Sequence, residues 1–180
     1  VLSTLCSMRQ LGVTIEDDLD KNIITVKGVG TYGFNSPEKP LDLGNSGTGV
    51  RLLMGAIAGQ PLTARLTGDA SLSARPMKRI TDPLQQMGAQ IDYIPKNKKK
   101  GLLPVTITGA NPALPLSYST EVASAQIKSA IMLAGLNARG VTIISEPHIS
   151  RDHTESMLRH FGVEVEQRFL TDGRHQVTLA

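Results

Sequence analysis

Three stretches of this 180-residue chain place an arginine at the opening of a helical pattern, an arrangement suited to binding anions. The first, Leu41-Asp42-Leu43-Gly44-Asn45-Ser46-Gly47-Thr48-Gly49-Val50-Arg51, is a glycine-rich turn leading into the apolar set Leu52, Leu53, Met54, Ala56 and Ile57. Backbone N–H groups at a helix start point outward and carry the positive end of the helix dipole, while glycines let an oxyanion approach the main chain. Arg51, one turn in, can lean back toward that end. The segment is not a nucleotide P-loop, because no Lys precedes a Ser or Thr at the required place. A tight turn with an ordinary N-cap accounts for it equally well.

The second stretch is Gly68-Asp69-Ala70-Ser71-Leu72-Ser73-Ala74-Arg75-Pro76-Met77, where Pro76 suits the first helical position and Arg75 would stand at the helix entrance. In the third, Ser150-Arg151-Asp152-His153-Thr154-Glu155, Asp152 and Glu155 have capping-box spacing and Arg151 precedes the cap. An arginine beside the positive end of a helix is mildly unfavourable without an anion. Two of them 76 residues apart therefore favour a site. A fourth segment, Ala123-Ser124-Ala125-Gln126-Ile127-Lys128-Ser129, aligns with the glycine-rich start. Taken alone, Ser124 reads as an N-cap, and Gln126 and Lys128 as a solvent face. If equivalent helix starts face one side, phosphates and carboxylates suit that surface. His148, His153, His160 and His175 lack metal-ligand spacing, so no metal is expected. Asp42, Asp69 and Asp152 read as turn or cap residues, and no general acid–base pair stands out.

The elements that must position these residues recur. Met8-Arg9-Gln10-Leu11-Gly12-Val13-Thr14-Ile15, Leu84-Gln85-Gln86-Met87-Gly88-Ala89-Gln90-Ile91 and Leu158-Arg159-His160-Phe161-Gly162-Val163-Glu164-Val165 each end a helix on a glycine and pass into an alternating strand. Reading outward predicts helices at 47–59 and 76–87 and strands at 62–67, 89–94 and 103–108. The next copy has helices at 123–137 and 153–161 and strands at 140–145, 163–168 and 175–179. With opening strands at 41–43 and 114–118, each full unit is β-α-β-α-β-β. The first copy shows only its last helix and strands near 12–17 and 23–27. We therefore expect one domain over 1–180, with units at about 1–40, 41–110 and 111–180, cut from a longer protein inside its first repeat.

Composition narrows the classes. Three Tyr, three Phe and no Trp leave little for base stacking. The net charge of +3 owes much to Lys96, Lys98, Lys99 and Lys100, without which the chain is close to neutral. Their setting between two strands reads as a solvated hairpin tip, and no nucleic-acid partner is expected. No apolar run reaches membrane length and no signal peptide is visible, so no membrane partner is expected. Cys6 is the one cysteine, which suits a reducing, cytoplasmic compartment, and it reads as a small buried hydrophobe.

The four ordered motifs Leu43–Thr48, Gly68–Met77, Ser124–Ser129 and Ser150–Glu155 make the chain resemble, over nearly its whole length, the 5-enolpyruvylshikimate-3-phosphate (EPSP) synthase family, in its Ser-Ala-Gln and Arg-Asp-His-Thr-Glu branch. The resemblance implies an α/β fold of repeated units with pseudo-threefold symmetry, an inside-out barrel-like domain. It implies most of the N-terminal domain of a two-domain, monomeric bacterial enzyme of the shikimate pathway to aromatic amino acids. That enzyme joins shikimate-3-phosphate to phosphoenolpyruvate with release of phosphate, through a tetrahedral intermediate and without metal or cofactor. By the same likeness Arg75 binds phosphoenolpyruvate, and Gln126 contacts both substrates. Asn45, Gly47 and Thr48 line the phosphoenolpyruvate pocket that glyphosate also occupies. Ser124 and Arg151 hold shikimate-3-phosphate, Ala125 stands where another branch has a second Ser, and Arg51 lies near the helix start. The family's acid–base Asp and Glu belong to the C-terminal domain, so no catalytic residue is expected in this chain, which should be inactive alone.

Two other readings are open, one an enzyme that shares the fold and one of a different class. The related UDP-N-acetylglucosamine enolpyruvyl transferase carries a reactive Cys in the loop before Arg-Pro, whereas Asp69-Ala70-Ser71-Leu72-Ser73 has none. A basic nucleic-acid module would rest on Lys96–Lys100 without aromatic interleaving.

Overall fold

The structure, a computed structural model, describes residues 2–18 and 20–180; Val1, at the start of the expected first helix, and Leu19 lie outside them. The chain opens with α1 (Leu2–Gln10), β1 (Thr14–Asp18) and β2 (Ile23–Lys27). The next unit runs β3 (Leu41–Asp42), α2 (Gly47–Ala58), β4 (Thr63–Thr67), α3 (Ala70–Ser73), α4 (Lys78–Gln86), β5 (Gln90–Tyr93), α5 (Pro95–Lys98) and β6 (Val105–Thr108). The last unit runs β7 (Ser117–Ser119), α6 (Ala125–Gly135), β8 (Thr142–Glu146), α7 (His153–His160), β9 (Val165–Phe169) and β10 (His175–Leu179). The two long units build sheets of the same design, β3-β4-β6-β5 and β7-β8-β10-β9. In each, the first pair is parallel, across a helical crossover, and the other two are antiparallel. The first unit contributes the hairpin of β1 and β2.

The recurring glycines have a common cause. Gly12, Gly88 and Gly162 take φ values of 91°, 96° and 83°, conformations open to glycine at little cost. Each follows a helix, and each junction closes with the same two bonds: Gly12 N–H to Arg9 O and Val13 N–H to Met8 O, Gly88 to Gln85 and Ala89 to Leu84, and Gly162 to Arg159 and Val163 to Leu158. That is the Schellman pattern, which satisfies carbonyls left over at a helix end and turns the chain into its strand.

The core lies around α2 and α6. Val50, Leu53, Met54 and Ile57 of α2 face inward with Ile127, Ala130, Ile131 and Ala134 of α6, joined by Leu66, Val105 and Ile107 of one sheet and Ile144 and Val177 of the other. The helices touch backbone to backbone: a Cβ on Gly55 would lie 2.3 Å from the Ala130 carbonyl oxygen.

Three local expectations are corrected. The second long helix of the middle unit begins at Lys78 after Met77, so Pro76 precedes it, and the extra turn α3 ends just before Arg75. The lysine cluster joins two antiparallel strands as expected, but Pro95–Lys98 form a helical turn, Pro95 fitting its first position. Cys6 is exposed, because α1 turns Ser7 inward instead. Among the described residues no helix is long and apolar enough to cross a membrane.

Since the Ala130 carbonyl sits where a methyl on residue 55 would go, Gly55→Ala should destabilise the chain by about 1–3 kcal/mol, the usual cost of overpacking. A urea midpoint equal to wild type would contradict this backbone contact.

Candidate functional site

Local turn chemistry builds the first half of the site. Asp42 Oδ1 accepts the Gly44 N–H at 2.9 Å, and Gly44 at φ 53° turns the chain toward α2. Ser46 Oγ accepts the Gly49 N–H at 3.1 Å and caps the helix, leaving the bare Cα of Gly47 at its first turn. Two guanidinium groups converge there. A Cβ on Gly47 would lie 2.9 Å from Arg75 Nη1 and 3.5 Å from Arg51 Nη1. Arg75 Nη2 donates to Asn45 Oδ1 at 2.9 Å, and Asn45 Nδ2 donates to Asp69 Oδ2 at 2.8 Å. Asp69 Oδ1 caps α3 by accepting the Leu72 N–H at 2.7 Å. The Leu72 bond foremost, then the Asn45 bond, hold the Asp69 carboxyl below its usual range. Arg75 is therefore placed by α3 and the glycine-rich turn together, not by the entrance of α4.

The second half lies at the start of α6. Ser124 Oγ accepts the Ile127 N–H at 3.4 Å and is the N-cap. Gln126 joins the halves: its Oε1 accepts from Arg51 Nη1 at 2.8 Å, and its Nε2 donates to Thr48 Oγ1 at 2.8 Å. Burial, and then the nearby charge of Arg75, lower the pKa of Arg51. An anion near Gly47 would relieve that crowding of positive charge. Thr48, Ala125, Gln126 and Arg151 line one cavity of about 150 Å³ with Ser129, His153 and Thr154. The starts of α2, α6 and α7 thus face one space, as the repeat implied. Of the nine expected residues, Asn45, Gly47, Arg51 and Arg75 gather at the glycine-rich turn, and Thr48, Ala125, Gln126 and Arg151 line the cavity, whereas Ser124 opens onto a neighbouring cleft of about 560 Å³ that Arg51 and Gln126 also line. Among the described residues no group of three His, Cys, Asp or Glu could hold a metal ion.

Two features escaped the sequence. His153, weighed in the sequence only as a metal ligand and as part of the Ser150–Glu155 motif, opens α7 at the cavity. More consequential is Lys128, which is not on a solvent face. Its side chain is fully buried, with Nζ 2.9 Å from Glu146 Oε1 and 2.6 Å from Glu155 Oε1. Glu155 is therefore drawn inward to an ion pair instead of closing a capping box, and Asp152 makes no side-chain cap bond. Glu146 Oε1 also accepts the Ser150 N–H and hydroxyl, each at 3.1 Å, and lies 3.4 Å from His175 Nδ1. Helical amphipathicity could not reveal this. Eight of the eleven residues of α6 are buried, so the helix has little solvent face on which to put a lysine.

Two successive β-α-β-α-β-β units, each building a four-stranded sheet of the same order, place the chain in the enolpyruvyl-transferase class of fold. The enolpyruvyl transferase NikO from Streptomyces tendae shares that fold with a TM-score of 0.60 at 17% identity, covering 98% of this chain and 40% of that one. The particular family follows from closer likenesses. The family profile described as EPSP synthase (3-phosphoshikimate 1-carboxyvinyltransferase) matches residues 1–178, and the chain belongs to that family. EPSP synthase from Acinetobacter baumannii superposes with a TM-score of 0.88 at 45% identity, over 99% of this chain and 39% of that one. The 3-phosphoshikimate 1-carboxyvinyltransferase of Nitrobacter hamburgensis is 52% identical over 178 residues, 97% of this chain and 38% of the relative. That of Rhodopseudomonas palustris is 56% identical over 162 residues, 90% and 36%. The chain thus spans well under half the length of the relatives it matches.

The buried ion cluster predicts a pH response. For Glu146, burial opposes ionisation most strongly, but the bonds from Lys128 and Ser150 and the Lys128 charge outweigh it and leave the folded pKa below the ordinary glutamate value. The folded chain then binds fewer protons than the unfolded one. Ionised Glu146 contributes stability above about pH 4.3, and this is lost as pH falls through the lowered folded value. Urea midpoints between about pH 6 and pH 3 should fall on acidification, and less steeply in Glu146→Gln. Lys128→Met, which strands two buried carboxylates, should cost roughly 3–5 kcal/mol at neutral pH. An unchanged midpoint in Lys128→Met would count against the pair.

Proposed function

We propose that the full-length protein is a 3-phosphoshikimate 1-carboxyvinyltransferase. It transfers the enolpyruvyl group of phosphoenolpyruvate to shikimate-3-phosphate and releases phosphate, and this chain supplies substrate-binding surface from the N-terminal of its two domains. The observation that carries the reading is the bridge made by Gln126. Its amide links Arg51 to Thr48, and so joins the guanidinium pair around Gly47 to the cavity lined by Ala125 and Arg151. Two anionic substrates that must react with each other need two cationic places side by side with a shared orienting group, and bidentate arginine suits both phosphate and carboxylate.

In this reading Arg75 and Arg51, with the open backbone at Gly47, take phosphoenolpyruvate. Ser124, Ala125 and Arg151 take shikimate-3-phosphate, and Asn45 orients Arg75. Gln126 Nε2 spends one N–H on Thr48 and keeps a second for a ligand between the two places. These residues bind and align; the proton transfers are assigned to the other domain. The chain alone should therefore give no product, and detectable turnover from it would overturn that division of labour. In a residue-resolved NMR titration with shikimate-3-phosphate, shifts should gather at Ser124, Gln126 and Arg151. Shifts elsewhere would move the site.

Glyphosate is expected to share the phosphoenolpyruvate place, in a monomeric, cytoplasmic enzyme. A methyl on Gly47 would reach within 2.9 Å of Arg75 Nη1, so the guanidinium must shift. Gly47→Ala in the full-length protein should raise both the glyphosate inhibition constant and the KM for phosphoenolpyruvate, by about tenfold or more for a lost charge-assisted contact. Steady-state kinetics with both constants unchanged would remove Gly47 and Arg75 from that pocket.

A further inference from the structure

We propose that Glu146, held by Lys128, is a positioning residue for Arg151: it fixes the loop that carries this arginine and so tunes the affinity of the shikimate-3-phosphate place. The inference rests on the reading of that place given above. Arg151 is exposed and makes no ion pair among the described residues, so its location depends on its backbone. That backbone is anchored one residue earlier, where both donors of Ser150, the N–H and the hydroxyl, go to Glu146 Oε1. Glu146 ends β8, and the turn between it and Arg151 is closed on the same oxygen. Lys128 holds that oxygen from the other side, and Lys128 lies one turn past Ser124 and two residues past Gln126. A short chain of bonds therefore runs from the start of α6, on one wall of the cavity, to Arg151 on the other. Ser129 Oγ and Thr154 Oγ1, 2.6 Å apart, tie α6 to α7 alongside it.

The same cluster is a poor device for stability alone. An ammonium and two carboxylates without solvent contact carry a desolvation cost that apolar residues of similar volume avoid. What apolar residues cannot do is accept two directional bonds from Ser150. Fixing the loop before the ligand arrives lowers the ordering cost of binding.

A double-mutant cycle in the full-length protein tests this, using Glu146→Leu, Arg151→Ala and both together, with shikimate-3-phosphate affinity read by calorimetry. A leucine at 146 has no acceptor for the two Ser150 bonds, which a glutamine would keep, and Lys128 retains Glu155 as its partner. Glu146→Leu should weaken shikimate-3-phosphate by about tenfold while the KM for phosphoenolpyruvate stays within about twofold, as a misplaced group at one subsite would. In the Arg151→Ala background the same substitution should add no more than about twofold, since its effect passes through Arg151. Additive losses, or equal losses for both substrates, would show a general structural role and overturn the proposal. So would an unchanged affinity in Glu146→Leu while Arg151→Ala weakens binding, which leaves the site reading intact. Arg151→Ala without effect would overturn both. Should Glu146→Leu fail to fold, Ser150→Ala removes one of the two loop bonds, and the same cycle applies with a smaller loss.

Discussion

The approach of α2 to α6 is the constraint on which the site depends. At Gly55 and Ala130 the two backbones meet with no room for a side chain between them. Each helix starts a unit's crossover, and each carries its own cap, Ser46 or Ser124, at the end nearest the cavity lined by Thr48, Ala125 and Gln126. Because the helices touch, their starts lie close enough for the Gln126 side chain to reach both Arg51 and Thr48 across the boundary between units. A larger residue at position 55 would separate the helices, and the bridging amide would lose one partner or the other. Packing in the core therefore sets the spacing of the two cationic places.

The two places are held by different means. Around Gly47 the groups are polar and largely exposed, and a run of single bonds through Asp69, Asn45 and Arg75 sets them. Arg151 itself is exposed, but its support is buried charge. An exposed network is screened and adjusts readily, whereas a buried one has few alternative arrangements. Both solutions meet the same need, since a long, rotamer-rich arginine contributes most to binding when its base is already placed.

Much of this was legible in the chain itself, for identifiable reasons. Gly12, Gly88 and Gly162 announce helix ends because few other residues accept a positive φ cheaply, and one such signal repeated at near-constant spacing marks the unit and the order of its elements along the chain. Arg51, Arg75 and Arg151 stood out because cations at the positive end of a helix need a reason. What escaped depended on long-range packing. Pro76 looked like a helix opener, yet the turn α3, capped by Asp69, occupies the chain just before it. Asp152 and Glu155 had capping-box spacing, but Lys128 reaches the carboxylate first. Lys128 itself could be recognised as buried only by knowing that α6 is covered on nearly every side and that β8 and α7 bring a glutamate each to meet it.

The node of the site is an amide, and charge arithmetic accounts for it. Gln126 accepts from a guanidinium at one end and donates to a hydroxyl at the other, so its neighbours fix which way the amide points. A glutamate there could take Arg51 and accept from the Thr48 hydroxyl, but its charge would cancel part of the positive charge that Arg51 and Arg75 gather. A lysine would stand against Arg51, whose guanidinium already meets the positive charge of Arg75. The neutral two-ended side chain leaves the full positive charge of both places available and still holds them in register. Under the proposed function, two anions must be brought together against their own repulsion, and that combination of undiminished charge and fixed geometry would meet the need.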